Sequence, residues 1–209
     1  MKINKDKNFE RELPSGYKQS LHINAKDAKF GIIFNLISLL VLAVVVAVAI
    51  FSLSFKGYTF GEVFSLDLPN LLITYLVFFL SIFSYIILHE LVHGVAYKSL
   101  TGEKLTFGLS WSCAFCGVPN IFTYRKTAII AIVAPFAVFT ILLIPTIIAL
   151  YFVSPLYYLI FAFVFGLHFG GCSGDLYLLI LLLIKYKDNT TLMRDTGPEQ
   201  FIYVKSKDF

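Results

Sequence analysis

The chain has 209 residues, 58% of them hydrophobic and only 14% charged, with a mean hydropathy of +0.80. That balance excludes an ordinary soluble globule and fits a polytopic membrane protein of one domain's length. The net charge of +4 needs no nucleic-acid partner, because the basic residues stand beside apolar stretches, where anionic lipid and the positive-inside bias account for them.

Residues 1–29 read as a polar cytoplasmic arm. They carry Lys2, Lys5, Lys7, Arg11, Lys18, Lys26 and Lys29, with a turn signal at Leu13-Pro14-Ser15-Gly16. The stretch 30–55 is uncharged and long enough to span. Ala47-Val48-Ala49 has the look of a signal-peptide cleavage site, but the apolar run is far longer than a signal peptide needs, so a retained anchor is expected. A loop with Lys56, Glu62 and Asp67 follows. The second span, 68–97, has no Lys or Arg, and its only titratable groups apart from tyrosines are His89, Glu90 and His93.

Residues 98–126 form the largest internal connection, and Lys98, Lys104, Arg125 and Lys126 outnumber Glu103 there, which predicts a cytoplasmic loop. Lys104 to Trp111 and Ile121 to Tyr124 read as extended, with Cys116-Gly117-Val118-Pro119-Asn120 as the turn of a short hairpin. Such a hairpin is either a plain structured loop or a sheet edge that adds a substrate strand. Pro119 and Asn120 are its candidate substrate-contacting residues. Cys113 and Cys116 make a C-x-x-C without a second pair or a thioredoxin-like surrounding, so they read as ordinary loop cysteines, and Cys172 as a small packing residue.

The run from Thr127 to Ile184 is charged only at Asp175 and is too long for one helix, and Val153-Ser154-Pro155 divides it into spans at 127–152 and 156–184. The tail, 185–209, is polar, with a turn at Thr196-Gly197-Pro198 and a strand candidate at Phe201 to Val204. Both ends and the 98–126 loop are basic, whereas the other two connections are not. Four spans with both termini inside satisfy every loop. The expected fold is therefore an all-α membrane protein of four transmembrane helices, with a cytoplasmic arm at 1–29, a membrane domain at 30–184, a cytoplasmic tail at 185–209 and a small β-hairpin-like loop between the second and third helices.

The second span reads Ile86-Ile87-Leu88-His89-Glu90-Leu91-Val92-His93-Gly94. On a helix, His89 and His93 lie on one face and can share a zinc ion, while Glu90 reaches a metal-bound water without ligating. A helix with a wet His-Glu-His face is the bland alternative, and the apolar flanks leave no such face. Two histidines need a third protein ligand. His89 precedes Lys98 by nine residues, about 13 Å of helix, and Asp175 precedes Lys185 by ten, about 15 Å, so the two lie level. His168 lies about 10 Å further out. Depth thus selects Asp175, a lone intramembrane carboxylate, and makes His168 a hydrogen-bonded interior histidine. Gly170, Gly171, Ser173 and Gly174 permit close packing or a break in the backbone beside it. His22 reads as solvated.

With His89-Glu90-Leu91-Val92-His93-Gly94, Lys98, Gly102 and Ser173-Gly174-Asp175 in place, the chain resembles the putative zincin peptidases, a bacterial family of small multi-span proteins. More distantly it is similar to the site-2 intramembrane metalloproteases, although its third motif reads Ser-Gly-Asp-Leu and it has no PDZ domain. The resemblance implies zinc ligation by His89, His93 and Asp175, with Glu90 as base, in a multi-pass protein of a bacterial cell membrane. The expected function is zinc-dependent hydrolysis of a peptide bond in or near the membrane, with a membrane protein or peptide as substrate, the lipid bilayer as surroundings and no nucleic acid. A non-enzymatic metal-binding membrane protein is the alternative, and a hydrolase acting on a lipid or short secreted peptide is a third reading.

Overall fold

The computed structural model describes residues 8–110 and 113–206. In chain order the elements are β1 (Phe9–Glu10), β2 (Tyr17–Asn24), α1 (Ala28–Ser54), α2 (Phe60–Val63), α3 (Leu68–Thr101), β3 (Thr106–Leu109), β4 (Ala114–Gly117), β5 (Phe122–Tyr124), α4 (Arg125–Val153), α5 (Pro155–Gly171), α6 (Ser173–Ile180), a π-helical turn (Leu181–Lys185), β6 (Leu192–Asp195) and β7 (Glu199–Lys205).

Local chemistry sets the helix ends. The Asp27 carboxylate accepts from the Lys29 N–H and opens α1, and Asp67 does the same for α3 through Asn70. Helix α3 stops where Gly102 turns to φ +70, its N–H bonding the Lys98 carbonyl while the Lys98 ammonium bonds the carbonyls of Gly102 and Glu103. Ser154 caps α5 with Pro155 in its first turn. The fourth long helix breaks at Cys172, between the glycines on one side and Ser173-Gly174 on the other. The π turn leaves the Leu182 carbonyl turned aside, and Arg125 Nε bonds it at 2.8 Å.

Four helical stretches, Ala28–Ser54, Leu68–Thr101, Arg125–Val153 and Pro155–Lys185, are long and apolar enough to cross a membrane, with 27, 34, 29 and 31 residues against the roughly 20 that a bilayer requires. Exposed side chains such as Leu40, Leu76 and Ile141 line them, as lipid-facing helices require.

The chain divides into two compact units. One comprises residues up to Ile33, His89–Pro135 and Gly174 onward. It holds a five-stranded antiparallel sheet in the order β1-β5-β6-β7-β2 and a separate β3–β4 pair. Ile23, Met193 and Ile202 of the sheet pack on Ala128 and Ile132 of α4 and on Leu178 and Leu182 beyond Asp175. The other unit comprises Phe34–Leu88 and Phe136–Ser173. There Ala49 and Leu53 of α1 pack on Tyr158 and Ala162 of α5, and a Cβ on Gly170 would lie 2.7 Å from the Ser38 backbone.

This corrects the all-α expectation. The arm and the tail are not merely polar extensions: β2 pairs with β7 from Tyr17↔Lys205 to Asn24↔Glu199. Within the 98–126 connection the expected pairing is also wrong. Residues 106–109 pair with 114–117, the Ser110 N–H bonds the Cys113 carbonyl, and Trp111, the expected end of the first extended stretch, lies outside the described residues, whereas 122–124 joins the large sheet between β1 and β6. The helical pattern outweighs the sheet in sequence because apolar runs of this length are unmistakable, while strands of two to eight residues gain their stability from partners far along the chain.

Candidate metal centre

His89 and His93 project from one face of α3, a turn apart, and Asp175 lies in the first turn of α6. The Nε2 atoms of His89 and His93 each lie 3.4 Å from Asp175 Oδ2. That separation is longer than a charge-assisted hydrogen bond, about 2.7–2.9 Å. It matches the edge of a tetrahedron with bonds of about 2.1 Å, roughly 3.4 Å, as zinc takes with nitrogen and oxygen donors. The side chains of His89 and His93 are 9% and 10% exposed, and that of Asp175 is 27% exposed. The donors are thus buried on one side and reachable on the other, as a site with an open coordination position requires.

The tautomer of His93 follows from its neighbour. Its Nδ1 lies 2.9 Å from the Ala131 carbonyl, which can only accept, so Nδ1 carries the proton and the lone pair of a neutral ring sits on Nε2, facing Asp175. A lone pair aimed at a carboxylate oxygen is unfavourable without a positive charge between them. The donor set therefore fits a divalent cation. Glu90 is half-buried and next to His89, rotated by about 100° around the helix.

One turn after His93, Tyr97 is fully buried on the same helix face, and its hydroxyl donates to Asp195 Oδ2 at 2.7 Å. The other oxygen of Asp195 accepts the Gly197 N–H at 2.9 Å, and its backbone carbonyl accepts the Val118 N–H. Burial raises the Asp195 carboxyl to about 6, against the lowering effect of those hydrogen bonds. Sequence reasoning missed Tyr97, Ala131 and Asp195. The spacing His89, His93, Tyr97 carried a signal for the first, since all three fall on one helical stripe.

His168, wholly buried, sits with Nδ1 3.2 Å from the Tyr85 hydroxyl and Nε2 3.0 Å from the Thr140 hydroxyl, the surroundings of an interior hydrogen-bonded histidine. Pro119 and Asn120 form the turn between β4 and β5, where the Pro119 carbonyl accepts from Arg194 Nε and Asn120 is exposed. Cys113, Cys116 and Cys172 form no disulfide, and burial pushes Cys116 up to about 12. His22 is not simply solvated: it stacks on Phe201 and pairs with Glu199 at 2.9 Å.

No curated protein and no solved structure matches this chain. A family model does: the one described as "Putative zincin peptidase" matches residues 82–190, which take in the paired histidines, Glu90, Asp175 and everything between them, and the chain belongs to that family.

Proposed function

We propose that this protein is a zinc-dependent peptidase embedded in a bacterial cell membrane, with His89, His93 and Asp175 as metal ligands and Glu90 as general base. The observation that carries the reading is the convergence of two imidazoles and a carboxylate from two helices, each Nε2 lying 3.4 Å from Asp175 Oδ2, with His93 oriented by Ala131. A zinc ion held there supplies Lewis acidity, polarising a carbonyl and making a water acidic enough to lose its proton near neutrality. The Glu90 carboxylate accepts that proton as the water oxygen bonds to the carbonyl carbon, and passes it to the leaving amine nitrogen as the C–N bond breaks. The long apolar helices support membrane embedding, and the basic arm, tail and 98–126 loop support a cytoplasmic location for the sheet.

A helical peptide bond is shielded, so the substrate meets the centre extended. The β3–β4 pair supports this reading, because β3 is mostly exposed along Thr106–Leu109 and its Phe107 ring rests on Gly94, the residue after His93. We propose its outer edge, with Pro119 and Asn120 at the neighbouring turn, as the surface that receives the strand.

Glu90→Gln in the purified, detergent-solubilised protein tests the function. Peptide hydrolysis should fall by at least two orders of magnitude, the scale of a general base, with one zinc per chain retained. Hydrolysis unchanged in Glu90→Gln would remove Glu90 from the base's role, and no hydrolysis of any membrane peptide by the zinc-loaded wild type would leave a metal-binding protein instead.

A further inference from the structure

The edge of the large sheet beside the metal helix is covered by a very short piece of the chain. Strand β1 is two residues long, pairing Phe9 with Thr123 and Glu10 with Phe122, and the Asn8 carbonyl accepts the Tyr124 N–H at 3.0 Å. Side chains secure it from both flanks. Asn8 Nδ2 donates to the Leu100 carbonyl at 2.8 Å, the Tyr124 hydroxyl donates to Glu10 at 2.7 Å, and Arg11 pairs with Glu103. Between these the Phe9 ring packs on the cluster of Tyr97, Val118, Ile121 and Ala131.

This is the arrangement of a bound peptide: main-chain bonds along a strand edge, one aromatic anchor in an apolar seat and a charged group at the rim. The fastening at the rim is weak. The Arg11 side chain is 75% exposed, so its ion pair contributes about 1 kcal/mol or less. Glu12–Gly16 tether the segment to β2 and keep it close to its seat. Its seat is also not neutral ground. Tyr97 lies one turn beyond His93, and Ala131 supplies the carbonyl that orients that histidine.

We propose that the groove along β5 is a binding site for extended peptides bearing an aromatic residue and, two positions on, a basic one, and that Asn8–Arg11 is its tethered resident, displaced when such a peptide arrives. The inference does not depend on which bond the metal centre cuts, and a failure of hydrolysis in the zinc-loaded protein would leave its test untouched.

The test uses the full chain in detergent and a fluorescein-labelled peptide of its own residues Lys7–Glu12. In Phe9→Ala/Arg11→Glu the resident is loosened, and the peptide should bind about ten-fold or more tighter than to wild type, where the tether holds the competitor at an effective concentration near millimolar. The Tyr124 amide should exchange with deuterium faster in the variant and regain protection when peptide is added. A peptide with alanine in place of Phe9 should do neither. Arg11→Glu alone, which sets a carboxylate against Glu103 in place of the ion pair and leaves the Phe9 anchor, should show the same Tyr124 exchange effect in smaller degree, and serves if the double variant does not fold. Equal peptide affinity for variant and wild type, or a Tyr124 amide indifferent to both substitutions, would overturn the proposal.

Discussion

Asp175 and His168 are the two polar groups of the last long helix with claims on the metal, and their surroundings separate them. Asp175 faces two imidazole nitrogens at 3.4 Å, whereas His168 is held between the hydroxyls of Tyr85 and Thr140. Asp175→Ala should therefore lose stoichiometric zinc by atomic absorption. His168→Ala should keep it but unfold more easily, by about 1–3 kcal/mol, because it removes a buried ring hydrogen-bonded to Tyr85 and Thr140. Asp195 makes a prediction in pH. Its folded carboxyl titrates near 6, above the ordinary aspartate range, so the folded chain holds that proton more tightly than the unfolded one. Stability from this group is then highest below about pH 4 and falls by about 3 kcal/mol as pH rises to 6. Asp195→Asn should flatten that part of the stability–pH curve measured by thermal unfolding. The histidine pair and Glu90 were legible in sequence because a helix brings residues four apart together whatever else the chain does. Asp195 was not, because a lone aspartate before a Thr-Gly-Pro turn looks like turn chemistry, and only the fold carries it beneath Tyr97.

The elements that carry the site differ in how much change they tolerate. A Cβ on Gly94 would come within 2.7 Å of the tip of the Phe107 ring, which can swing away. A Cβ on Gly117 would lie 2.3 Å from the backbone nitrogen of Gly197 and 2.7 Å from the carbonyl carbon of Thr196, which cannot. Gly117→Ala should thus destabilise by about 1–3 kcal/mol or more and Gly94→Ala by clearly less, in denaturant melts of the two variants side by side. The long helices were readable to within a few residues from apolar runs bounded by charges. The β2 strand was partly written too: Leu21 and Ile23 turn inward on alternate positions, but a register shift between Gln19 and Leu21 breaks the alternation that would have revealed it.

For the whole molecule, a zinc ion held by His89, His93 and Asp175 would join α3 to α6 and add to the folded state's stability. Zinc at a hundred times its dissociation constant adds about 2.7 kcal/mol, so chelation should lower the melting temperature by roughly 5–10 °C, and zinc should restore it. A chain whose melting is blind to chelators would not hold its metal at these residues. Fold class was the part least visible in sequence, since the sheet joins residues near one end to residues near the other, and no local pattern records that meeting. That topology imposes an order of manufacture. Strands β6 and β7 follow all four apolar helices in the chain, so Asp195 reaches Tyr97 only after every helix has left the ribosome. A nascent copy therefore lacks the Tyr97–Asp195 hydrogen bond behind its paired histidines until synthesis has passed the last helix.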